Sequence, residues 1–183
     1  MTGMHHDGKE RGRFKTINLR GGRPCEVGVW GSIIYGKVWV HHDSYFPFGL
    51  QNRNTAMSPN GELYFRDWYV PDFSKEGYSH KHLFIHEMVH VWQYQRGMWV
   101  KTRGLYSWLA NYSYELDGSK LLKNYAMEQQ AQIVADYHLL TSSGYAVWRN
   151  RFGKEVTYNG NDYADVRKVK EKYEKVLVGF PYK

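Results

Sequence analysis

Thiol chemistry is nearly absent from this chain. Cys25 is the single cysteine among 183 residues, so no intramolecular disulfide staples the fold and no cysteine-rich metal site exists. Long apolar runs are missing too: none reaches the roughly 18–20 residues that a membrane-spanning helix requires. The N-terminus is polar and rich in glycine and histidine, without the apolar core of a secretory signal peptide. The expectation is a protein that is cytoplasmic where it is made and that leaves the cell, if it leaves, by a route other than its own N-terminal signal. Internal repeats and low-complexity segments are also lacking. Acidic residues are in deficit, 18 against 25 lysines and arginines, for a net charge of +7. The charge is dispersed. Its C-terminal group, Arg167 to Lys175, is interleaved with Glu171 and Glu174, the pattern of a solvated helix face rather than of a nucleic-acid patch.

What remains is a chain of globular composition, 42% hydrophobic, with 16 tyrosines and 7 tryptophans. Its length suits one domain with a sizeable core. Residues 1–23, rich in glycine and charge, are expected to form a flexible arm, and residues 24–183 a single domain. Pro24 to Trp30 can begin a short helix, and Gly36 to His41 has strand composition. Asn60-Gly61 leads into a short strand, Glu62 to Arg66, with the makings of a hairpin. Three helices follow: Ser79 (as N-cap) to Arg96, closed by Gly97; Tyr125 to Thr141; and Tyr163 to Leu177, with Tyr163, Val166, Val169, Tyr173 and Leu177 as its apolar stripe. The segment from Met98 to Lys123 is expected to cross over the site. Strands first and helices after make an α+β arrangement, a small β-sheet packed on the helix of residues 79–96 with further helices beyond.

That helix carries the chemistry. His86-Glu87-Met88-Val89-His90 is an H-E-x-x-H motif set between Leu83-Phe84-Ile85 and Val91-Trp92. At about 100° per residue, histidines four apart return to within roughly 40° of each other, so both imidazoles leave one face. Glu87, beside the first, is placed to act as general base on a metal-activated water without being a ligand. The bland alternative is a histidine pair packed inside a core helix.

A catalytic zinc takes three protein ligands and keeps a position for water. Gln93 stands where a glycine would let the helix break, and Arg96 where a third histidine would follow. The third ligand is therefore sought on a later helix. Glu128, near the start of the helix at 125–141, is the favoured candidate, with Ala131 one turn on small enough for close helix packing. Glu115, Asp117 and His138 compete. Asp136 lies too far along to share the metal, and is expected to accept a hydrogen bond from a ligating histidine.

Three blocks of the chain resemble a known family. They are Phe46 to Leu50 with Asn54 to Phe65, His82 to Gln93, and Asn124 to Ala131 with Ala135-Asp136-Tyr137. Together they are similar to short bacterial metallopeptidases associated with Rhs and VgrG proteins, including C-terminal extensions of type VI secretion spikes. The resemblance covers about residues 24–142. It implies a zincin-like domain holding one Zn2+ per chain and acting as an antibacterial toxin. It also implies delivery by a spike of the VgrG, Rhs or PAAR kind, action in the target-cell periplasm and a cognate immunity protein in the producer.

The resulting expectation is hydrolysis of peptide bonds, with His86, His90 and Glu128 as ligands and Glu87 as base. Tyr114, Tyr112 or Tyr125 is the candidate donor to the oxyanion, and Asn54 to Phe65 the cleft wall, where an edge strand pairs with extended substrate. Two rivals stay open. One is a zinc hydrolase of cell-wall peptide crosslinks, favoured by a basic surface. The other is a non-enzymatic or nucleic-acid-binding toxin whose histidines are structural.

Overall fold

A computed structural model of the chain describes residues 29–98 and 111–181. The expected N-terminal arm, the start of the helix near Pro24 and much of the segment expected to cross the site lie outside the described residues. The observed class is α+β: a small two-stranded parallel sheet beside a set of helices.

After a short helix α1 (Val29–Ser32) comes strand β1 (Val40–His41), much shorter than the strand expected over 36–41 because Tyr35–Lys37 turn in a 3-10 helix. Strand β2 (Leu63–Tyr64) pairs with β1 in parallel, Val40 opposite Leu63 and His41 opposite Tyr64. Its other side is taken as well. Met57 and Tyr64 exchange both main-chain hydrogen bonds (3.1 and 2.8 Å) in an antiparallel bridge across the turn at Asn60-Gly61. The strand expected to be a free edge is thus an inner one, and the outer position belongs to the segment around Met57. Gly61 is required in this turn: its φ is +79°, and a Cβ there would come within 2.4 Å of Tyr94 Cδ1. Leu63 and Phe65 alternate with Tyr64 and point inward, fully buried, which contributes ~1.5–3 kcal/mol for each such side chain.

Helix α2 (Tyr78–Gln95) receives that face, with Phe84 against Phe65 and Phe73. The cap is Gly77 rather than Ser79, whose hydroxyl instead donates to Glu155. The helix ends as expected at Gly97, in the left-handed region at φ +77°, where glycine alone carries no Cβ penalty. Helix α2 is buried almost all round from His82 to Gln93, as befits the central element of a core.

Helix α3 (Met127–Ser143) packs along α2. Ala131, in the second turn of α3, is fully buried. A short helix α4 (Tyr145–Asn150), which had no counterpart among the expected elements, follows at Gly144, and α5 (Val166–Val176) closes the described chain. Asp165 caps α5 by accepting from the main-chain N–H of Arg167 and Lys168, and Val169, Tyr173 and Val176 form its buried stripe. Val166, expected in that stripe, is exposed.

Candidate metal centre

His86 and His90 sit one turn apart on α2, with ring centroids 4.9 Å apart and planes at 80°. Glu128 enters from the first turn of α3, where the unpaired N–H groups of a helix N-terminus favour a carboxylate. The three side chains turn toward one point. His86 Nε2 lies 3.2 Å from His90 Nε2, and Glu128 Oε2 lies 3.3 Å from the first and 3.0 Å from the second. A metal bound at about 2.0–2.1 Å with tetrahedral angles places its ligand atoms roughly 3.3 Å apart. The donor triangle therefore fits a small divalent cation, and among the described residues it is the cluster of such groups that does. Two imidazoles and one carboxylate are also the mixed donor set that such ions take.

The electrostatics of the cluster point the same way. Burial works against the charged form of both His90 and Glu128, yet their mutual attraction and hydrogen bond prevail. His90 is pushed up to about 9, with Glu87 and Gln93 adding to the rise. Glu128 is pulled well below the usual carboxylate range by His90 and His86. The carboxylate thus holds a positive charge at this point, a proton in the absence of metal.

Glu87, on the adjacent face of α2, is buried and held by a residue far away in sequence. Ser58 Oγ lies 2.6 Å from Glu87 Oε2 and 3.1 Å from the Glu87 main-chain oxygen. The segment around Met57 is thereby pinned against the motif helix. Ser58 escaped notice in the sequence because a serine 29 residues upstream carries no periodic signal.

The remaining expected site residues separate. Of the three candidate tyrosines, Tyr112 is the one beside the cluster, its ring 5.9 Å from that of His86. Burial, then the charges of Glu128 and Glu87, raise its pKa and keep the phenol protonated. Tyr114 is buried elsewhere, its hydroxyl between Asp136 and Tyr173. Tyr125 donates to the Glu115 carbonyl and accepts from the Asp117 N–H. Asn54 is an exposed loop residue whose carbonyl receives Trp68 Nε1. Asp136 corrects an expectation: its histidine is His82 (2.6 Å), eight residues before His90 on α2, rather than one of the cluster. The reason is the helix register, since α3 runs back along α2 and carries Asp136 about two turns away from Glu128. Glu115, Asp117 and His138 take no part in the donor triangle.

Comparison with protein-family models gives no match. The type VI secretion system spike protein VgrG2b of Pseudomonas aeruginosa is 41% identical over 121 residues, which is 61% of this chain and 12% of that protein. The chain thus corresponds to a small part of the spike protein. A solved structure, the effector domain of P. aeruginosa VgrG2b, aligns with a TM-score of 0.56 at 35% identity, covering 78% of this chain and 87% of that one. This chain belongs to the family of the VgrG2b effector domain. No helix described here is long and apolar enough to cross a membrane.

Proposed function

We propose that the chain is a zincin-type zinc peptidase that serves as an antibacterial type VI secretion effector. The observation that carries the reading is the convergence of His86 Nε2, His90 Nε2 and Glu128 Oε2, with the buried carboxylate of Glu87 next to them. His86, His90 and Glu128 would hold a zinc ion, which would supply Lewis acidity toward a water and a carbonyl oxygen. Glu87 takes the proton of the attacking water and returns it to the departing amine. Ser58 donates to Glu87 Oε2 and so holds the carboxylate in place, leaving Oε1 for proton transfer. Tyr112 is the donor to the carbonyl oxygen as negative charge develops there, since its own ionisation is opposed by burial and two neighbouring carboxylates. Strand β2, paired on both sides, offers no free edge to an extended substrate, and the segment around Met57 is the one held beside Glu87.

Kinship with the VgrG2b effector domain supports delivery on a secretion spike. On this reading the producer carries a cognate immunity protein, and the enzyme works on a protein or peptide in the periplasm of the target cell. The test is hydrolysis of casein and of purified peptidoglycan by the zinc-loaded protein, with Glu87→Ala as control. Cleavage of casein that Glu87→Ala abolishes supports the peptidase. Cleavage confined to peptidoglycan moves the substrate to cell-wall crosslinks. Full activity or full toxicity of Glu87→Ala would show the mechanism to be wrong.

A further inference from the structure

Gln93 is fully buried at the end of α2, three residues after His90, and every hydrogen-bonding group of its side chain is engaged. Its Nε2 donates to the Met127 carbonyl (3.0 Å) and to Gln130 Oε1 (3.1 Å). Its Oε1 faces His90 Nδ1 at 2.7 Å. The direction of each bond follows from the groups at the far end. The Met127 carbonyl can only accept, so the atom facing it must be the NH2 group. Gln130 Nε2 donates in turn to the Tyr125 carbonyl (2.8 Å), which leaves Gln130 Oε1 as an acceptor for the second N–H of Gln93. Two main-chain carbonyls therefore set the orientation of both amides. Gln93 Oε1 is left toward the histidine, and an amide oxygen can only accept. His90 Nδ1 must then carry a proton, and in the neutral ring the lone pair falls on Nε2, the atom aimed at His86 and Glu128.

The same side chain also gauges the distance between the two halves of the site. Met127 immediately precedes Glu128, and Gln130 lies two residues beyond it. One amide thus touches the second histidine at one end and both flanks of the glutamate at the other.

We infer that Gln93 is a positioning residue that selects Nε2 of His90 as the metal-binding atom and holds that ring in register with Glu128. The inference rests on the zinc reading proposed above and extends it to a residue that touches neither metal nor substrate. Losing such a partner weakens metal binding about 10–100-fold.

Substitution separates positioning from mere packing. Gln93→Leu fills the same space but removes acceptor and donor together. Gln93→Glu keeps an acceptor toward His90 and gives up the donors to Met127 and Gln130. Zinc affinity is read by competition with a chromophoric chelator, and the melting temperature of the metal-free protein is recorded beside it. The expected result is binding weakened about 10–100-fold in Gln93→Leu and within a few-fold of wild type in Gln93→Glu, although both melt lower. Equal affinity losses in the two variants, or none in either, would overturn the inference. Wild-type protein offers an independent check should Gln93→Leu fail to fold. Imidazole nitrogen NMR of the zinc-loaded form should show His90 bound through Nε2 with a slowly exchanging proton on Nδ1. Binding through Nδ1 would overturn the assignment. A wild type that takes up no zinc would overturn both this inference and the metal reading, whereas tight zinc binding left unchanged in Gln93→Leu would remove only the role of Gln93.

Discussion

Helices α2 and α3 carry two histidine–carboxylate clusters, and the residue types alone do not tell them apart. One joins His86 and His90 to Glu128. The other, one turn before His86 on α2 and eight residues beyond Glu128 on α3, joins His82 to Asp136. Their hydrogen bonding differs in kind. Asp136 is 0% exposed, and its oxygens receive four donors: His82 Nε2, Gln132 Nε2, Tyr114 Oη and the Thr157 main-chain N–H. Every side of that carboxylate is occupied, and the partners come from α2, α3 and two loop segments. The cluster is closed, and its work is to hold the core together. At Glu128 the partners are two imidazole nitrogens that also face each other at 3.2 Å. Three acceptor-bearing atoms meet there around too few protons, an arrangement that a cation completes. Saturation with donors, rather than residue identity, separates the structural pair from the candidate metal cluster.

The largest expected effect lies on the metal side. Glu87→Gln should keep zinc and fold yet lower kcat by about 10²–10⁴-fold, measured on a peptide substrate with metal content determined in parallel. Asp136→Asn should do the reverse. Breaking a buried pair costs ~3–5 kcal/mol, so its denaturation midpoint should fall steeply while the folded fraction still binds zinc. Loss of zinc without loss of stability would erase the distinction between the clusters. The tyrosines sharpen it further. Tyr112→Phe should lower kcat about 10–100-fold, the scale of one donor bond to developing charge, with little change in KM. Tyr114→Phe leaves Asp136 short of a donor and should cost ~1–3 kcal/mol of stability without changing the activity of the folded protein.

The smallest effect is a pH dependence of the metal-free form. The folded-state pKa of His90 is raised from 6.5 to about 9. Its contribution is therefore fully present below about pH 6.5 and fades as pH climbs through about 9. Glu128 is depressed from 4.5, so its contribution is present above that value and is lost as pH falls toward its folded-state pKa. The melting temperature of the metal-free protein should decline between about pH 7 and 9.5, and zinc, which takes the place of the proton, should flatten that decline.

The His86–His90–Glu128 cluster was legible in the sequence where its geometry is local or carried on one regular helix. His86 and His90 share a face because four residues make about one turn, and Glu128 could be sought at the start of the next strong helix. Which histidine meets Asp136 was not legible, since a shift of one turn between two packed helices leaves both sequence patterns unchanged. Ser58 and Gln93 were missed for related reasons. Ser58 reaches Glu87 across a turn and a sheet, and Gln93 served only as the residue that argued against a glycine. The sheet was the least legible part. Strands of two residues have no alternation to detect, and the parallel pairing of Val40 with Leu63 is a tertiary fact.

Metal analysis of the purified wild type beside His86→Ala, Glu128→Ala and Asp136→Asn tests the division between the two clusters most directly. About one zinc per chain is expected in wild type and in folded Asp136→Asn, and almost none in the other two. Zinc retained in both His86→Ala and Glu128→Ala would contradict that division.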